Sequence, residues 1–99
     1  METKVKRPRL ANAKKLSLEY PDTFSYWEED IAALKVGDIV KVSGNERFWV
    51  IVKEINGDKI IGEVNNLLLN TTTYNLGDWI SFKRENIYQF WDDSMKPLD

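Results

Sequence analysis

Two hydrophobic periods divide this chain. Leu10, Ala13 and Leu16 recur every three residues, with Lys14, Lys15 and Glu19 on other faces, which predicts a short amphipathic helix. Tyr20-Pro21-Asp22 should end it, because proline restricts the residue before it and cannot continue the hydrogen-bond ladder. Ser25-Tyr26-Trp27-Glu28 fits a capping box, and Glu29 and Asp30 would lie in the first turn, where acidic groups suit the helix dipole. That second short helix should bury Ile31 and Leu34 and stop before Gly37.

After Gly37 the period becomes two. Asp38 to Ser43 reads as a strand, with Val40 and Val42 on one face and Ile39 and Lys41 on the other, and Ser43-Gly44-Asn45-Glu46 turns the chain. Phe48 to Ile55 is the strongest strand. Asn56-Gly57 is the best hairpin signal, since both residues tolerate the positive φ of a type I′ turn, and Lys59 to Val64 should return. With Asn56 and Gly57 as the loop, Ile55 faces Asp58, Lys53 faces Ile60, Ile51 faces Gly62 and Trp49 faces Val64. One face then carries Trp49, Ile51, Ile55, Ile60 and Val64, and the other Phe48, Val50, Val52 and Ile61, with Glu54 and Lys59 paired near the turn. A sheet apolar on both sides needs cover on both sides, from a core beneath and from the N-terminal helix or a partner above.

Leu67-Leu68-Leu69 suits an edge strand or a loop that buries two of its three leucines. Lys35-Val36-Gly37-Asp38-Ile39-Val40-Lys41-Val42 is echoed by Asn75-Leu76-Gly77-Asp78-Trp79-Ile80-Ser81-Phe82. In each copy glycine can accept positive φ while aspartate bonds the neighbouring backbone, turning the chain into a strand. Trp79 to Lys83 is thus a strand, and Ile87 to Trp91 a short last strand or helical turn. The expected architecture is β-rich α+β: a small SH3-like open barrel, or a curled antiparallel sheet of about five strands, with one or two short N-terminal helices. Residues 1–9 read as a flexible basic arm, 10–91 as one globular domain and 92–99 as a frayed acidic tail.

Composition agrees with one core. In 99 residues, 42% are hydrophobic and 12% aromatic, enough to fill a single domain and too apolar for disorder along most of the length. The absence of cysteine excludes a disulfide framework, a thiolate nucleophile and sulfur-ligated zinc, and makes the cytosol the expected compartment. No stretch approaches the roughly 20 apolar residues of a membrane span, and the basic N-terminus lacks the apolar run of a signal peptide. The net charge of −2 hides an asymmetry. Lys4, Lys6, Arg7, Arg9, Lys14 and Lys15 are opposed in the first fifteen residues only by Glu2, leaving an acidic body.

Without histidine the usual general base and the commonest metal ligand are both missing. Glu28-Glu29-Asp30 and Asp92-Asp93 are explained by capping and solvation, no calcium loop occurs, and the five glycines are scattered singly rather than gathered into a phosphate loop. No catalytic residue, metal site or cofactor is expected, and the chain reads as a non-enzyme. Aromatic residues interleaved with basic ones remain. Trp49 and Trp79 read as core residues, whereas Trp27, Tyr74 and Trp91 lie outside the best strands and are candidates for an exposed patch.

The segments Pro21-Asp22-Thr23-Phe24, Val36 to Val42, Glu46-Arg47-Phe48-Trp49-Val50, Gly62 to Asn66, Gly77 to Phe82 and Asn86-Ile87-Tyr88 together resemble a domain-of-unknown-function family. Its members are small uncharacterised proteins of bacteria, phages and large DNA viruses, and the likeness covers about residues 21 to 90. The resemblance implies a compact β-rich domain of phage or viral association, with no catalytic residue to carry over. Related chains often have histidine where this one has Asn86, so a role that the family hangs on that histidine is not carried over to this position.

The leading functional expectation is a non-catalytic module that recognises a protein partner, as a phage or viral host-interaction factor would. Its contacts would come from Arg47, Trp27, Tyr74 and Trp91, with Asn65 and Asn66 at a strand end. A second is nucleic-acid binding through the phosphate-contacting cations Lys4, Lys6, Arg7, Arg9, Lys14 and Lys15. A third is a small-ligand or nucleotide sponge formed by the loops around Asn65 to Tyr74 in a homo-oligomer. No membrane partner is expected.

Overall fold

The computed structural model describes residues 4–22, 28–69 and 73–91. Its elements, in chain order, are β1 (Val5–Lys6), α1 (Ala13–Glu19), α2 (Glu28–Ala32), β2 (Ile39–Ser43), β3 (Arg47–Asn56), β4 (Lys59–Val64), β5 (Trp79–Lys83), a 3-10 turn (Arg84–Asn86) and β6 (Gln89–Phe90). The strands form one sheet in the order β1-β5-β4-β3-β2-β6, antiparallel throughout except that β1 runs parallel to β5. The sheet is not closed into a barrel, and of the two expected forms the curled sheet with short helices describes it.

Helix α1 starts at Ala13, three residues after the apolar period begins at Leu10, because Asn12 caps it, accepting from the Lys15 N–H at 2.9 Å. It packs chiefly on the 3-10 turn, where the Asn86 carboxamide donates to the Ala11 carbonyl at 3.1 Å and accepts from the Lys83 N–H at 2.8 Å. Asn86 is therefore a structural pin. Arg84 is another: its guanidinium donates to the Gly57 carbonyl at 3.0 Å and to the Ile31 carbonyl, tying α2 to the hairpin turn. The capping box expected at Ser25 lies outside the described residues.

The Gly-Asp echo is a repeated device. Gly37 and Gly77 have φ of 98° and 88°, the left-handed region that disfavours any side chain. Asp38 Oδ2 accepts from the Lys35 N–H at 3.0 Å, and Asp78 Oδ2 from the Asn75 N–H at 2.9 Å. Each glycine N–H donates to a central-strand carbonyl, Val52 or Val64, and each aspartate carbonyl accepts from the N–H of the same valine. Strands β2 and β5 are thereby clipped to β3 and β4 at their first residues.

The central hairpin turns one residue later than its sequence suggests. Asn56 pairs with Lys59 and leaves Gly57-Asp58 as the loop, and only Gly57 takes positive φ, at 60°, the pattern of a type II′ rather than a type I′ turn. Ile55 then faces Ile60 and Glu54 faces Ile61, instead of the expected pairing of Glu54 with Lys59. A bulge at Lys53 shifts the register again, so that Val52 faces Gly62, Ile51 faces Glu63 and Val50 faces Val64. Because side chains alternate with a period of two, this changes the expected division of faces. Phe48, Val50, Val52, Ile55, Ile60 and Val64 share one side, leaving Trp49, Ile51 and Ile61 on the other.

The first side is the core. It gathers Val40, Val42, Phe48, Val50, Val52, Ile60, Val64, Ile80 and Phe82 from the sheet, and Ile31, Leu34, Leu68, Tyr74 and Ile87 from the connecting segments. A side chain of this size contributes roughly 1.5–3 kcal/mol when fully buried. Gly62 is required within it: a Cβ there would collide with Val50 Cγ1 and stand 2.8 Å from the Ile51 carbonyl oxygen. Among the described residues, no buried side-chain polar atom lacks a partner.

Two further expectations are corrected. Val5 and Lys6, read as part of a flexible arm, form a strand on β5, and Lys6 Nζ reaches Asp78 Oδ2 at 2.9 Å. The leucine run is a loop that buries one leucine rather than two. Leu68 is 5% exposed, whereas Leu67 and Leu69 are 69% and 82% exposed. Asn75 fixes this arrangement by accepting from the Leu68 and Leu76 N–H groups, each at 2.8 Å, and donating to the Leu68 carbonyl at 3.1 Å.

Candidate functional site

The outward parity of the strands builds the surface of interest. The pairings Trp79 with Glu63, Glu63 with Ile51 and Ile51 with Ile39 lay one row across four strands. Trp91 extends it beyond β6, its N–H donating to the Ile39 carbonyl at 2.8 Å. An adjacent row carries Trp49, Lys41 and Gln89, and on the other flank lie Ile61 and Ser81. Trp49, Trp79, Trp91, Ile39, Ile51 and Ile61 are all half-buried and outside the buried cluster, so each keeps part of its surface in water. The helical segments spend their apolar residues elsewhere: Ile31 and Leu34 enter the core, and α1 sits on the 3-10 turn.

Local contacts hold these side chains in place. Trp49 and Trp91 meet edge to face with centroids 5.1 Å apart and planes at 86°, a favoured aromatic geometry. Lys41 Nζ lies 5.3 Å from the centre of the Trp49 ring, and the Arg47 guanidinium lies 5.5 Å from that of Tyr88. The Trp49 backbone is held on the side facing β4, where its N–H donates to Asn66 Oδ1 at 2.5 Å and its carbonyl accepts from the Asn65 N–H at 2.9 Å. At the bulge, Lys53 pairs with Glu63 at 3.9 Å.

The charge on this face is opposite in sign to that of the chain. Its alternating positions bring outward Lys41, Arg47, Lys53, Lys59 and Lys83 against Glu54 and Glu63, in a protein of net charge −2. The result is an apolar row, interrupted between Trp79 and Ile51 by Glu63 with its Lys53 partner, inside a mainly cationic rim. Among the described residues, no group of three or more Asp or Glu side chains could hold a metal ion.

The expected contact residues are only partly brought together. Trp91 and Arg47 are on or beside this face, Asn66 uses its carboxamide to position Trp49, and Asn65 leaves its side chain exposed. Tyr74 is a core residue, 7% exposed, with its ring 5.6 Å from that of Phe48. Burial, reinforced by the nearby Glu46 charge, pushes the Tyr74 phenol above its ordinary pKa. Trp27 lies outside the described residues. Conversely, Trp49 and Trp79, expected in the core, belong to the outward face because of the register.

Half of the six basic residues of the N-terminal segment are engaged in ion pairs. Lys6 pairs with Asp78, Lys14 with Glu28 at 3.7 Å and Lys15 with Glu19 at 3.8 Å, while Lys4, Arg7 and Arg9 stay exposed. Donation from Lys6, and then from the Asn75 backbone, holds the Asp78 carboxyl below the usual range. The loops around Asn65 to Tyr74 contribute Thr73 and Tyr74 to a small cavity of about 230 Å³ shared with Lys4, Lys6, Arg7 and Pro8. No described helix is long and apolar enough to cross a membrane.

No protein-family profile matches the chain, and neither the curated proteins nor the solved structures yield a match.

Proposed function

We propose that the chain is a non-catalytic binding module that takes a protein partner on the outward face of its sheet. The observation that carries this reading is the set of apolar side chains Trp79, Ile51, Ile39 and Trp91, in one row with Glu63 and with Trp49 and Ile61 beside it, held at the surface. An apolar, aromatic centre inside a charged rim is the anatomy of a protein-recognition patch, where tryptophan and arginine supply most of the energy. Four strands at about 4.8 Å spacing and five residues at about 3.3 Å rise give a flat area of roughly 300 Å². A standard interface covers about 800 Å² on each partner, so the partner must overrun the rim and meet its lysines.

The excess of cations on that rim selects an acidic surface and should steer its approach. It disfavours symmetric pairing of two copies through this face, because like charges would be set against each other. The engagement of Lys6, Lys14 and Lys15 in ion pairs lends no support to a nucleic-acid arm.

The test compares capture from lysate of the source cells by the wild-type chain, by Ile51→Asp and Trp79→Ser, and by Lys35→Ser as a control away from the face. Binding of each captured protein is then remeasured with purified components. The reading requires a partner that both face variants lose, that the control retains and whose association slows as salt rises. Equal capture by all four chains, or amide shifts on binding that avoid Ile39, Ile51 and Trp79, would overturn it.

A further inference from the structure

Lys59 and Lys83 stand directly opposite each other across β4 and β5, both exposed on the same face. Like charges in that relation destabilise an antiparallel pair, so the ladder carries an electrostatic cost that the fold does not require. Arg7, from the segment after β1, lines the same open cleft of about 690 Å³, together with Ser81, Asp58 and Glu85. Five other lysines, Lys6, Lys14, Lys15, Lys35 and Lys53, each have a carboxylate partner. Arg7, Lys59 and Lys83 make no ion pair or side-chain hydrogen bond among the described residues, although two carboxylates share their cleft.

We propose that this cleft binds a small phosphorylated molecule carrying two or more adjacent phosphates. Three cations from three separate segments converge where one carboxylate could neutralise only one of them. A chain of phosphates presents anionic oxygens over several ångströms, and the planar guanidinium of Arg7 suits two of them at once. The Ser81 hydroxyl adds a neutral donor. Asp58 and Glu85 leave the cleft at a net charge of +1 from three cations and two anions, and offer acceptors for ligand hydroxyls. Pro8, Leu10 and Phe82 form an apolar wall, and the volume falls within the range of about 300–1,000 Å³ typical of small-molecule sites. Lys59 and Lys83 also belong to the cationic rim of the outward face, but Arg7, Asp58 and Glu85 lie outside the row centred on Ile51, and phosphate binding here requires no protein partner on that row.

The experiment titrates the full chain with sodium tripolyphosphate and with adenosine triphosphate, by calorimetry and by thermal shift. Wild type is compared with Lys59→Gln, Lys83→Gln and the control Lys35→Gln. Saturable binding of at least one probe is expected, weakened about tenfold or more in the two cleft variants and unchanged in the control. Removing one of the opposed lysines should also raise the midpoint of the unliganded protein, a sign that a merely structural lysine would not show. Tighter binding of the nucleotide than of tripolyphosphate assigns the apolar wall to an organic body, and equal binding assigns the site to the phosphate chain alone. The proposal fails if neither probe saturates, if Lys35→Gln loses as much as the cleft variants, or if the probes shift amides at Ile51 and Trp79 but not at Ser81 to Asn86.

Discussion

Replacing Gly62 with alanine tests the sheet geometry where it is tightest. Gly62 has no positive φ, so alanine meets no backbone strain there, and relief of unfolded-chain entropy alone would stabilise by about 0.4–1 kcal/mol. The added methyl would nevertheless collide with Val50 Cγ1, lie 2.8 Å from the Ile51 carbonyl oxygen and 3.2 Å from Phe82 Cε1. The valine could turn, but the carbonyl is fixed by the ladder. Overpacking of this kind costs about 1–3 kcal/mol, which leaves a net loss of roughly 1–2 kcal/mol. For a chain this short, the midpoint should fall by roughly 4–16 °C. Urea denaturation of wild type, Gly62→Ala, Val50→Ala and the double variant completes a cycle. Val50→Ala alone should cost about 2 kcal/mol, and the pair should cost less than the sum by about 0.5 kcal/mol or more, because the first obstacle has gone. A Gly62→Ala protein as stable as wild type, or strict additivity, would refute the close approach of β4 to β3.

Three other outcomes follow from the structure. Ile60→Ala should cost about 2–5 kcal/mol and the adjacent Ile61→Ala less than half as much, measured by the same denaturation, since only the first empties core volume. Asn75→Ala removes three hydrogen bonds that set the β4–β5 connection, and should cost about 1–3 kcal/mol while raising amide exchange at Leu68 and Leu76. The depressed Asp78 pKa makes its pairing with Lys6 a stabilising contribution that is complete above the ordinary aspartate pKa and lost as pH falls through the lowered one. The stability difference between wild type and Lys6→Met should therefore be largest at neutral pH and shrink on acidification.

The elements were legible because each has a local cause. The three-residue spacing from Leu10, the Gly-Asp turns and the alternation after Gly37 all found their helices and strands. The faces were harder, because a single bulged residue at Lys53 changes which side chains share a side, and nothing local marks a bulge. A signal was nevertheless present. In β2, β4 and β5, and in β3 as far as the bulge, the polar residues keep one parity: Lys41 and Ser43, Arg47 and Lys53, Lys59 and Glu63, Ser81 and Lys83, and only beyond the bulge do Glu54 and Asn56 take the other. Short of the bulge, the other parity, Val40 and Val42, Phe48 to Val52, Ile60 to Val64, Ile80 and Phe82, contains none. Reading the charged parity as the wet one places Trp49 and Trp79 outward without a hairpin register. Tyr74 was beyond such reasoning, because its burial depends on contact with Phe48, far away in sequence.

The parallel strand at Val5 and Lys6 changes what an N-terminal truncation would report. Its two residues shield part of the outer margin of β5, and a chain cut after Lys6 would present unsatisfied backbone amides there, a template for edge-to-edge association of neighbouring molecules. Such a cut would also free the Asp78 carboxylate. A shortened protein that clumps, or that gains affinity for other chains, would thus be showing an uncovered seam rather than the removal of a basic tether. Point substitutions at Arg7 and Arg9 are the cleaner probes, because they change the charge and leave the seam closed.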